Sequence, residues 1–102
     1  MPDKKPLVSL DSTVVATTEQ ISAHFTGSVV ILGLRVGSYY SLDEVGAFIW
    51  NLVQEPLQVS DIRDAILEEY EVEHARCESD LLALLEDLAA NQLIDIESDP
   101  RI

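Results

Sequence analysis

The sequence changes character once, near position 42. Before it, β-branched residues and short apolar runs dominate; after it, apolar residues recur at helical spacing. Strand side chains alternate with a period of two and helical ones with a period of about 3.6. A chain segregated this way is expected to fold as α+β, strands first and helices second.

Val14 to Thr18 is a short strand candidate, and Val29 to Leu34 is the best one, bounded by Gly27 and by the turn Arg35-Val36-Gly37-Ser38. The near-continuous apolarity of Val29–Leu34 predicts a central strand with a neighbour on each side. Tyr39-Tyr40-Ser41 then returns antiparallel, with Gly37 supplying the positive φ of the turn. Ser41-Leu42-Asp43-Glu44 has the form of a capping box and predicts a helix from about Leu42. Its apolar stripe is Val45, Phe48, Ile49, Leu52 and Val53. Trp50 is assigned to packing, with Gly46 leaving room for its indole, and Pro56 ends the element. A second helix, capped by Ser60, turns Ile62, Ala65, Ile66 and Tyr70 inward. A third runs from about Glu73 to Ala90, with Cys77, Leu81, Leu84, Leu85 and Leu88 on one side and Asn91 as a left-handed cap. Leu93 to Ile96 adds one further short strand. The order is compatible with a winged helix-turn-helix whose wing comes first.

With 102 residues, one compact domain is expected. The longest apolar run is far shorter than a membrane span, and the first six residues lack the apolar stretch of a secretory signal. The expected location is therefore the cytoplasm, with no membrane partner. Nineteen Asp and Glu against six Lys and Arg give a net charge of −13. A field of that sign repels phosphate backbones, and the third helix sets Glu78, Asp80, Glu86 and Asp87 against Arg76 alone. Nucleic-acid binding is disfavoured on both counts.

Catalytic chemistry finds no foothold. His74 and Cys77 stand three apart on one helix, but Cys77 falls on the apolar stripe, where a thiol serves as a small hydrophobe. A single cysteine and two histidines offer no metal-ligand spacing. Glycine-rich phosphate loops are absent, and no Asp-Ser-Leu stands at a helix start to carry a phosphopantetheine. The expectation is a protein without catalytic residues, metal or cofactor.

A family resemblance lies in the order and spacing of several pieces. A strand and turn lead into Tyr39-Tyr40-Ser41-Leu42 and then Val45-Gly46-Ala47-Phe48-Ile49-Trp50. Next come Val59-Ser60-Asp61-Ile62, the stretch Ile66 to Val72, the stretch Glu78 to Leu88, and Leu93-Ile94. Together, from Val29 to Ile94, they resemble the PqqD-like family, the RiPP recognition elements that bind leader peptides of ribosomally made, modified peptides. The resemblance implies a non-catalytic winged helix-turn-helix-like α+β domain: an N-terminal three-stranded antiparallel sheet, then three helices. It implies one domain over 1–102, with 1–12 and 97–102 as flexible ends. In that family a precursor's leader segment adds a strand to the third β-strand, in a groove bounded by the third helix. The domain then presents the precursor to a separate enzyme. The chain is similar to the stand-alone elements of lasso-peptide biosynthesis, whose partner is a leader-cleaving cysteine peptidase. It is also similar to those serving other maturation enzymes of the radical-SAM type.

The expected peptide-binding residues follow. Leu34, Arg35, Val36, Ser38, Tyr39, Tyr40 and Leu42 come from the second strand's end, the turn and the third strand; Arg76, Asp80, Leu81 and Leu84 come from the third helix. Alternation along Ser38–Leu42 sends one tyrosine to each face, so one of them lines the groove. Arg76, Asp80, Leu84 and Asp87 share a helix face and form its other wall. The alternative is an acidic regulatory or inhibitor subunit that docks on a basic partner protein.

Overall fold

The computed structural model describes residues 8–97. Six strands and three helices follow in the order β1 (Thr13–Ala16), β2 (Gln20–Phe25), β3 (Ser28–Gly33), β4 (Tyr39–Leu42), α1 (Glu44–Leu52), β5 (Leu57–Gln58), α2 (Val59–Glu69), α3 (His74–Ala90) and β6 (Ile94–Glu97). They build two antiparallel sheets, β2-β3-β4 and β5-β1-β6. The expected three-stranded sheet followed by three helices is present, and Val29–Leu34 does lie at its centre as β3.

Its first member differs from expectation. Val14 and its neighbours pair with Ile94–Glu97 from the far end of the chain, not with β3. The place beside β3 is taken by β2, in the connection 19–26. Gln20, Ser22 and His24 alternate there with Ile21, Ala23 and Phe25. The period is that of a strand, but the apolar set faces outward: Ile21 and Phe25 are 59% and 61% exposed.

The core lies between the sheets and the helices, on Val14, Val29, Ile31, Trp50, Val53, Ile62, Leu81, Leu85, Leu88 and Leu93. At Gly33 a Cβ would stand 2.7 Å from the Leu93 side chain, so glycine lets β3 approach the segment leading into β6. At Gly46 the space is filled by Leu42, whose atoms lie 2.9–3.0 Å from a built Cβ, and not by the Trp50 indole. That indole is buried, its Nε1 donating to Ser22 Oγ at 3.2 Å.

Three helix caps depart from the motifs. Ser41 remains in β4; Asp43 caps α1 by accepting from the Gly46 N–H at 2.9 Å. Ser60 lies within α2, which starts at Val59 without a side-chain cap. The N–H groups of Val59 and Ser60 instead donate to the carbonyls of Ser12 and Leu10. After α3 the left-handed residue is Gln92, with φ of 58°, and not Asn91. Residues 8–12, grouped above with a flexible end, thus help cap α2, and Val8 is buried. Glu97 pairs with Thr13. The remainder of both expected flexible ends, 1–7 and 98–102, lies outside the described residues. No helix among the described residues is long and apolar enough to cross a membrane.

Candidate functional site

A groove of about 830 Å³ runs between β4, the start of α1, the α2–α3 connection and α3. That size lies within the range of about 300–1,000 Å³ typical of ligand pockets. Leu42, Ile49, Ile66, Cys77 and Leu81 are buried and form its floor, while Val45, Val72 and Leu84 line it higher up and are partly exposed. Asp43, Glu71, Glu73, Arg76 and Asp80 supply the polar rim. Tyr40 spans from β4 to α3, its hydroxyl donating to Asp87 at 3.1 Å. Burial raises this phenol above its ordinary pKa, and the hydrogen bond to Asp87 adds to the rise.

The consecutive residues Tyr40, Ser41 and Leu42 all line the groove, so it is the edge of β4 that borders it and not one face alone. The register shows which main-chain groups that edge offers. Gly33 N–H donates to the Ser38 carbonyl at 2.7 Å, and Ile31 stands opposite Tyr40 and Val29 opposite Leu42. Along an antiparallel pair, hydrogen-bonded and non-hydrogen-bonded positions alternate. Tyr40 and Leu42 therefore bond to β3, and the N–H and C=O groups of Tyr39 and Ser41 point away from it. No strand in the described residues pairs with this edge.

Of the expected peptide-binding residues, the structure brings Tyr40, Leu42, Arg76, Asp80, Leu81 and Leu84 together in the groove. Tyr40 is thus the tyrosine that lines it; Tyr39 points to the opposite face and is 74% exposed. Leu34, Arg35, Val36 and Ser38 lie outside, in the β3–β4 turn. Leu34 and Val36 are exposed there. Arg35 bridges Glu19 at 2.6 Å and Asp95 at 3.0 Å, which tie the turn to β6 and hold the guanidinium more firmly protonated. Ser38 Oγ donates to the Asn91 carbonyl at 3.3 Å, a second tie to the segment after α3. Arg76 and Asp80 face each other at 3.6 Å, both largely exposed, so their pairing contributes little.

Several lining residues were not expected. Val45 belongs to the helical stripe by spacing, yet the inward face of α1 is Gly46, Ile49, Trp50 and Val53, which leaves Val45 to the groove. Glu71, Val72 and Glu73 follow the end of α2, where periodicity stops and the sequence gives no signal. Cys77 was assigned to the core; it is buried and also forms part of the floor. Burial pushes its thiol pKa up, and Glu78 pushes it further, which opposes nucleophilic use.

Comparison with known proteins adds two findings. The family of coenzyme PQQ synthesis protein D (PqqD) matches residues 28–94. Among solved structures, TbiB1 in complex with the TbiA(beta) leader peptide is 38% identical in sequence, with a TM-score of 0.75. The match covers 83% of this chain and 99% of that one. No curated protein matches the chain.

Proposed function

As the chain belongs to the PqqD family, we propose that it binds the leader segment of a ribosomally synthesised precursor peptide by strand addition and delivers it to a separate processing enzyme. The observation that carries this reading is the unpaired edge of β4 running along an apolar groove. The likeness to a protein solved with a leader peptide agrees with it.

The mechanism follows from the edge. An extended peptide docks antiparallel or parallel to β4 and exchanges main-chain bonds with Tyr39 and Ser41. Two residues give up to about four bonds, each worth about 1 kcal/mol net. Micromolar binding requires about 8 kcal/mol. The balance comes from apolar side chains entering the groove over Leu42, Val45, Leu81 and Leu84, at about 1.5–3 kcal/mol each. Two such anchors suffice, and their spacing along the strand fixes the peptide's register. The domain then acts by raising the local concentration of precursor at its enzyme, without chemistry of its own. We assign that enzyme to the leader-cleaving cysteine peptidases of lasso-peptide biosynthesis, the partner class that the sequence resemblance implies.

The test is fluorescence anisotropy of a labelled leader peptide, from the precursor encoded beside this protein, at two salt concentrations. Saturable one-to-one binding at micromolar or better, little changed by salt, is expected. Absence of binding would overturn the reading. Binding that collapses with salt would favour an acidic surface docking on a basic partner.

A further inference from the structure

The same sheet has a second open edge, and it differs from the first. Among the described residues, β2 pairs with β3 alone. Phe25 stands opposite Ser28 across the two-residue turn Thr26-Gly27, so Phe25, Ala23 and Ile21 bond to β3. The main-chain groups of Gln20, Ser22 and His24 therefore point outward along a six-residue strand. Edge strands are ordinarily blunted by lysine, proline, inward charges or bulges. β2 has no lysine, proline or acid, and its pairing with β3 runs one-to-one from Gln20 to Phe25 without a bulge.

The surface beside this edge is equally unusual. Ile21, Leu32 and Tyr39 stand in one row across the sheet, all exposed, with Phe25 further along β2. From Gln20 to Leu42 there is no Asp or Glu, although the chain holds nineteen; Arg35 is the only formal charge in that stretch. Two molecules of net charge −13 repel. On this sheet they can meet without setting carboxylate against carboxylate, whereas α1, α2 and α3 all carry acids on their exposed faces.

We propose that two copies of the chain associate through their β2 edges, antiparallel and about a two-fold axis, into one sheet ordered β4-β3-β2-β2-β3-β4. The interface is isologous: Gln20, Ser22 and His24 of each copy bond the other's main chain. Both β4 edges stay free at the outer ends. This contact does not depend on what β4 binds.

The test is sedimentation velocity on the full chain across micromolar concentrations, at low and high salt. A concentration-dependent dimer is expected, tightened by salt, which screens the repulsion between copies. His24→Pro removes an outward N–H without touching the β3 ladder, and Ala23→Glu places apposed carboxylates near the axis. Each should raise the dimer dissociation constant at least about tenfold with far-ultraviolet circular dichroism unchanged. If His24→Pro fails to fold, Ala23→Glu decides. A monomer at every concentration and salt overturns the proposal and leaves this face to a different protein. A dimer that both variants keep also overturns it. So does a dimer that leader peptide dissociates, because that contact would lie on β4.

Discussion

Replacing Ser41 with proline separates main-chain recognition from every other way a peptide could be held. Ser41 stands opposite Val30 at a non-hydrogen-bonded position, so its N–H points to the open edge and takes no part in the β3–β4 ladder. Its side chain is exposed on the face away from the core. Proline is tolerated on an edge strand whose N–H faces outward, and the residue before it, Tyr40, is already extended. Ser41→Pro should therefore leave the melting temperature nearly unchanged. It removes one bond to the peptide and leaves the peptide carbonyl without a partner, together a cost of about 1–3 kcal/mol. At 1.4 kcal/mol per decade, that is about a 5- to 100-fold loss of leader affinity. Ser41→Ala keeps the N–H and should bind within about twofold of wild type. Anisotropy with a labelled leader peptide measures both, and thermal circular dichroism checks the fold. Undiminished binding by Ser41→Pro would refute strand addition at β4; equal losses in both variants would mean the hydroxyl is read, not the main chain.

Four further outcomes follow from the same geometry. Leu84→Asp should weaken leader binding by about 1.5–3 kcal/mol, the worth of one buried apolar contact, with little loss of stability because Leu84 is only partly buried. Leu81→Ala, at a position 2% exposed, should instead cost about 2–5 kcal/mol of folding stability, measured by urea denaturation. Cys77 should react slowly with a thiol reagent in the native protein, and more slowly still when leader peptide covers the groove floor it helps form. Tyr40 has its pKa raised by burial and by Asp87, so its stabilising contribution is whole below the ordinary tyrosine value of about 10 and falls as pH rises above it. Tyr40→Phe should lessen that alkaline loss in thermal melts, and in the wild type an ultraviolet titration should show Tyr40 and Tyr70 ionising late, only Tyr70 doing so in the variant.

What the sequence made legible was what depends on neighbours along the chain. Val29–Leu34 announced a central strand by continuous apolarity, and the helices announced themselves by stripes that end at Pro56 and Tyr70. What it hid depends on the chain meeting itself. Nothing local says that Val14 pairs with Ile96, or that the carbonyls of Leu10 and Ser12 stand in for a cap on α2. β2 was missed although its alternation is regular, because a strand is sought as an apolar face turned to a core, and here that face is turned out. Ser41-x-x-Glu44 matched a capping motif, but α1 begins at Glu44, so the residue next to its first turn is Asp43 and Ser41 stands two positions too early to cap. For the site, a strand and a helix face gave Tyr40, Leu42, Asp80 and Leu84. Val72 and Glu73 escaped because they sit in a connection whose place is set by the helices it joins.

The two edges of this sheet also explain how an open strand persists in an acidic protein. An unpaired edge invites any other edge, including that of a second copy. At β4 the invitation is restricted. The strand is only four residues long, Asp43 stands at its end, and Glu73, Asp80 and Asp87 line or flank the approach from α3. A second copy arriving edge to edge would bring the same acids against them, at a cost that rises as water is squeezed out. An isolated peptide segment with few acids meets no such repulsion and gains the groove floor besides. The charge that looks like a solubility device thus also selects: its members around β4 leave that edge to a short guest strand, and β2, free of acids, is left to the protein's own copy.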